Sequence, residues 1–103
     1  MRSLFIGFSL LLVASVNAEE APLPSEVKAF IVDRDLCDHF RAEPYEGNSP
    51  EQIERREFIS QSLEIFCPGT DRRLAALKKR YKDNAKIMKL LNGYEEKIES
   101  TLP

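Results

Sequence analysis

Residues 67–81 read Cys67-Pro68-Gly69-Thr70-Asp71-Arg72-Arg73-Leu74-Ala75-Ala76-Leu77-Lys78-Lys79-Arg80-Tyr81. Pro68-Gly69 stops any helix that runs up to Cys67. Thr70 can cap the next helix, with Asp71 well placed for its positive N-terminal end. Leu74, Leu77 and Tyr81 then form one apolar stripe at helical spacing. One helix therefore ends at a cysteine and another starts three residues later. Upstream, Ser49-Pro50-Glu51-Gln52 is a helix start, with Ser as N-cap, Pro at the first helical position and Gln three residues beyond the cap. Ile53, Ile59, Leu63 and Phe66 give that helix its apolar stripe up to about Cys67. Further upstream, Val27, Phe30, Ile31, Cys37 and Phe40 predict a first helix over 26–40 with Ser25 as its cap. The segment 41–49, RAEPYEGNS, then carries Pro44, Gly47 and Asn48, which interrupt it.

Downstream, Asp83 or Asn84 breaks or re-caps the chain. Ile87, Leu91, Tyr94 and Ile98 repeat at spacings of four, three and four, predicting a final helix that Gly93 weakens by up to about 1 kcal/mol. No alternating β-branched run and no internal repeat occurs. The expected fold is all-α, a small bundle of three to four helices over residues 26–103, preceded by an acidic, proline-containing extended lead-in over 19–25.

The first residues, MRSLFIGFSLLLVASVNA, pass from Arg2 through an apolar stretch to the small-residue end Val16-Asn17-Ala18. This pattern predicts a secretory signal peptide over 1–18, its apolar run too short for a comfortable membrane span. No later stretch is apolar for long enough to cross a bilayer. The mature chain is thus expected to be soluble and either periplasmic or secreted. In an oxidising compartment the two cysteines, Cys37 and Cys67, should pair. Closing a loop of that length contributes about 3–4 kcal/mol in the chain-entropy model, comparable to the net stability of so small a domain. The pairing also constrains the path: Cys67 lies roughly 25 Å along the second helix from its start. The linker after the first helix must therefore carry the chain back along that helix, or the second helix must cross it steeply.

Charge is segregated. Residues 19–67 hold five Lys/Arg against twelve Asp/Glu, whereas residues 68–103 hold nine against five. Eight of those cations fall between Arg72 and Lys89, opposed there by Asp83 alone. Arg72, Arg73, Lys78, Lys79 and Lys82 are therefore candidate contacts for an acidic protein or an anionic envelope component, or else a solvated helix face. Nucleic acid is not an expected partner, because export separates it from the protein and the basic run has no interleaved aromatics beyond Tyr81. Arg41 and Tyr45, with Glu43 and Glu46, offer a second candidate interaction surface. The alternative there is that Tyr45 packs over the disulfide and Arg41 pairs with a neighbouring acid.

Asp35, Cys37, Asp38, His39 and Glu43 place ligand-type atoms within nine residues. A disulfide removes Cys37 as a thiolate, and a lone His39 falls short of the usual three or four ligands. Neither a metal nor another cofactor is expected, and His39 reads as a residue at the negative end of a helix. The chain has no phosphate-binding Gly-rich loop, no nucleophile elbow and no C-x-x-C redox motif, and its core has little room for a pocket of several hundred Å³. No catalytic residue is assigned. The expectation is a non-enzymatic binding protein, with a metal-binding or catalytic protein built on His39 as an alternative.

The blocks CDHFRAEPY, CPGTDRRLAALKKRY and KIMKLLNGYE resemble those of small exported proteobacterial proteins over residues 37–95, most of the mature chain. That resemblance implies export and no particular activity. The block around Cys67 has a weaker similarity to lysozyme inhibitors of the LprI type, which are exported and helical. It implies inhibition of a lysozyme-type hydrolase as a further alternative. Pro68-Gly69-Thr70 stands where that family continues a helix, and Lys78-Lys79-Arg80 would repel a cationic lysozyme.

Overall fold

The computed structural model describes residues 22–103, so the expected signal peptide over 1–18 and the first part of the lead-in lie outside the described residues. Four α-helices follow: α1 Ser25–Arg41, α2 Pro50–Phe66, α3 Thr70–Arg80 and α4 Ala85–Leu91, with a 3-10 turn at Glu99–Thr101. The described chain is all-α and stapled by a Cys37–Cys67 disulfide with Cα atoms 5.0 Å apart. Among the described residues no helix is long and apolar enough to cross a membrane.

Helix α1 buries Val27, Phe30, Arg34 and Cys37, at spacings of three, four and three. Ser25 does not cap it. Pro24, in an extended conformation, stands at the boundary, and its carbonyl accepts from Val27 and Lys28 N–H. Helix α2 starts with the expected capping box: Ser49 accepts from Gln52 N–H and the Gln52 side chain accepts from Ser49 N–H. It buries Ile59, Ser62 and Leu63, but Ile53, expected on the same stripe, is 41% exposed. The reason is reach. The linker 42–49 runs along α2, with Glu43 bonded to Arg55, the Gly47 carbonyl to Arg56, and Tyr45 to Ser60. The first turns of α2 are thus covered by the linker rather than by a second helix.

Helix α3 begins one residue earlier than a Thr70 cap requires. Gly69 occupies the cap position with φ of +80°, a left-handed conformation that favours glycine. Thr70 is instead fully buried, donating its hydroxyl to the Cys67 carbonyl. Asn84 does cap α4, accepting from Ile87 N–H. The expected long final helix ends at Leu91. Gly93 N–H turns back to the Leu90 carbonyl and Tyr94 N–H to the Leu91 carbonyl, so the repeat through Tyr94 and Ile98 is not helical. The C-terminal segment follows α1 instead: the Tyr94 ring meets Phe30 edge-on at 5.3 Å, and Ile98 is buried beside Cys37.

Two apolar clusters result, one towards each end of α1. The first joins Val27 and Phe30 to Leu74, Leu77, Ile87 and Leu91. The second joins Cys37 and Cys67 to Ile59, Leu63 and Ile98, with Phe40, Tyr45, Phe66 and Leu102 against it. No α2 residue belongs to the first cluster. Full burial of each such side chain contributes about 1.5–3 kcal/mol, so the two halves depend on α1 to act as one domain.

Candidate interaction surfaces

Between the two clusters sits a buried polar node that joins four parts of the chain. Arg34 is fully buried. Its guanidinium donates to Asp71 Oδ1 at 2.7 Å, to the Glu95 carbonyl at 2.9 Å and to Thr70 Oγ1 at 3.3 Å. It also lies 5.6 Å from the centre of the Phe30 ring, a stacking that guanidinium tolerates. Asp71 in turn accepts from the backbone N–H groups of Ile98 and Glu99. Burial works against the Asp71 charge, but the Arg34 bond and the Ile98 and Glu99 N–H groups outweigh it and hold the carboxyl below its ordinary value. Glu99 completes the circuit by accepting from Gly69 and Asp71 N–H at 3.1 and 2.8 Å, an anion on the positive end of α3. An open surface recess of about 620 Å³ lies beside this junction, lined by Arg72, Lys97, Glu99 and their neighbours. With Arg34 satisfied on every side, the node is a clamp for the C-terminal segment.

The predicted basic surface is divided by internal pairing. Arg73 bonds Asp33 at 2.9 Å and lies over Phe30, Lys78 bonds Glu96 at 3.1 Å, and Arg80 bonds Glu26 at 2.5 Å. Glu26 also accepts from the Tyr81 hydroxyl, and these two bonds, Tyr81 first, hold its carboxyl below the ordinary value. Among the described residues Arg72, Lys79, Lys82, Lys86 and Lys89 form no ion pair. Lys86 and Lys89 flank Leu90, which is 41% exposed, on the outer face of α4. The free cations thus gather on α4 and the turn before it, with Lys79 and Arg72 along the outer face of α3.

The surface around Arg41 and Tyr45 is also mostly committed. Arg41 bonds Asp38 at 2.8 Å and Glu95 at 3.0 Å. The Tyr45 hydroxyl shares a hydrogen bond of 2.5 Å with Ser60, and its ring packs against the disulfide cluster. His39 is exposed and meets the Phe40 ring edge-on. The acids near it take other partners, Asp35 from Tyr94 and Asp38 from Arg41. Among the described residues no group of three or more His, Cys, Asp or Glu side chains is placed to hold a metal ion.

Sequence reasoning missed one surface. Phe58 and Ile65 lie seven residues apart on α2, on one face, and are 58% and 70% exposed. Exposed Glu54 stands one turn before Phe58, and exposed Glu51, Glu57 and Glu64 flank the pair. The signal was present in the sequence: both residues fall off the stripe of Ile59, Leu63 and Phe66, so one helix cannot bury both sets against one neighbour. Arg55, also exposed beside Phe58, is held by Glu43, so the unpaired charges around this exposed apolar pair are all acidic, as at an interaction site. Comparison with protein-family models, curated proteins and solved structures gives no match to this chain.

Proposed function

We propose that this protein is an exported, non-enzymatic binding protein of the periplasm or the secreted space, and that it meets its partner through the outer face of α2. The observation that carries the reading is the pair Phe58 and Ile65, left exposed within a rim of Glu51, Glu54, Glu57 and Glu64. A fitting partner places an apolar contact among cations, because like charges across an interface cost affinity and opposite ones speed encounter. The disulfide supports the non-cytoplasmic setting. The test is recovery of partners from a periplasmic and envelope extract by the oxidised protein and by Phe58→Ser/Ile65→Ser. A protein with an apolar patch among cations, held by the first bait and lost by the second, is the expected outcome. Equal recovery by both refutes the reading. An anionic lipid or polysaccharide lost only by Lys79→Gln/Lys82→Gln would move the contact to the α3 and α4 cations.

A second reading has the same rim behind it: inhibition of a cationic wall hydrolase of the lysozyme type. Near-stoichiometric slowing of cell-wall lysis, abolished by Phe58→Ser/Ile65→Ser, supports it. Unchanged lysis refutes it. The metal-binding or catalytic alternative depends on His39, and unaltered function in His39→Ala removes it.

A further inference from the structure

From the placement of two complementary faces at opposite ends of α1, we infer that the partner of the α2 face is a second copy of this chain, docked through its α4 face. This rests on the reading of α2 as the contact surface. One face is Phe58 and Ile65 within a rim of glutamates. The other is Leu90, 41% exposed, beside Lys86 and Lys89 and preceded by exposed Lys82. Neither set of charges is paired among the described residues. The faces cannot meet within one molecule, because α4 packs with Val27 and Phe30 at the start of α1, whereas Phe58 packs on Phe40 at its end.

A symmetric pairing of two α2 faces would set the glutamates of one copy against those of the other, with Arg55 already engaged by Glu43, and like charges opposed in this way cost free energy. A head-to-tail contact sets glutamates against lysines and Leu90 against Phe58 and Ile65. Such a contact is heterologous, so each copy keeps one free face and the assembly extends or closes as a ring. The apolar contact is small and rim charge pairs are individually weak, so the association is reversible and falls with salt.

The experiment is sedimentation of the oxidised chain over a wide concentration range at low salt, with two surface variants. Phe58→Ser/Ile65→Ser removes one face, and Lys82→Gln/Lys86→Gln/Lys89→Gln neutralises the other without creating a complementary charge. The wild type is expected to gain mass with concentration and to return to monomer at about 1 M salt, where the screening length falls to about 3 Å. Each variant alone is expected to stay monomeric. Their mixture is expected to form a 1:1 dimer and go no further, because only one competent junction remains. A wild type that stays monomeric overturns the inference, and so does a lysine-neutralised variant that still associates by itself, which indicates symmetric α2 pairing. Mixed variants that remain monomeric overturn it too. Titration with a cationic lysozyme separates the two levels of the argument. A monomeric wild type that binds lysozyme through Phe58 and Ile65 removes self-association and keeps the α2 reading, whereas a monomeric wild type whose envelope partners are recovered equally by Phe58→Ser/Ile65→Ser removes both.

Discussion

Replacing Asp71 by Asn leaves the Arg34 guanidinium inside the protein with its counter-charge gone. Breaking a buried ion pair from one side costs about 3–5 kcal/mol. Asp71 keeps 23% of its side-chain surface in water while Arg34 keeps none, so the lower end of that range applies, about 3 kcal/mol. Arg34→Met should cost less, about 2 kcal/mol, because Asp71 stays partly hydrated and retains the Ile98 and Glu99 N–H groups. The double variant removes both charges and should lose well under the sum, giving a coupling of about 1.5 kcal/mol or more. Against a whole-domain stability of roughly 4–12 kcal/mol these are large effects, and Asp71→Asn should lower Tm by about 12–24 °C. Urea denaturation of the four proteins at pH 7 measures the cycle, and amide exchange at Ile98 and Glu99 reports whether the C-terminal segment loosens first. The acid limb supplies a second readout. A carboxyl whose folded pKa is depressed contributes stability fully above its unfolded value and loses it as pH falls through the folded one, so the wild type should weaken below about pH 4. Asp71→Asn should flatten that decline. Losses that add within about 0.5 kcal/mol, with wild-type exchange at Ile98, would refute the clamp.

Removing the staple by Cys37→Ser/Cys67→Ser should cost about 3–4 kcal/mol, seen as a large drop in the thermal midpoint; a change below about 1 kcal/mol would contradict it. Gly47→Ala should cost about 1–2 kcal/mol, since φ there is +118° and a methyl group would overlap the Gln52 amide of the α2 capping box. An unchanged urea midpoint would show the turn to be more accommodating. The Tyr94 phenol, raised to about 12 by burial and then by its bond to Asp35, should ionise late in an alkaline absorbance titration. Its raised pKa favours the protonated form in the folded state, so its contribution is intact below about pH 10 and disappears as pH climbs towards 12. Asp35→Asn should lower that phenol's pKa, and no response would argue against the bond.

Helix positions were legible where local chemistry sets them. Ser49-Pro50-Glu51-Gln52 and Pro68-Gly69 act through caps and breakers a few residues long, and both appear where expected. The last helix was misread because Tyr94 and Ile98 are buried by a chain that doubles back, which imitates helical spacing without a helix. Arg34 was overlooked although it stands within the stripe of Val27, Phe30 and Cys37, where an apolar side chain belongs. A cation in such a place signals a buried partner, but which acid answers depends on contacts 37 residues apart, beyond any local pattern. Cationic residues of α3 read as a uniform face for the same reason: Arg73, Lys78 and Arg80 meet acids from α1 and from the C-terminal segment, and only the tertiary arrangement reveals it.

The crosslink also changes what kind of contact Arg34 and Asp71 make. Along the backbone they are separated by 37 residues. Through the sulfurs the route is three residues from Arg34 to Cys37 and four from Cys67 to Asp71, about seven in all, which reduces the entropy of bringing them together by roughly 1.5 kcal/mol. Oxidation thus turns a distant encounter into a nearly local one. The C-terminal segment docks on Asp71 through Ile98 and Glu99, so the crosslink, the ion pair and the tail support one another, and reduction of the disulfide weakens all three together.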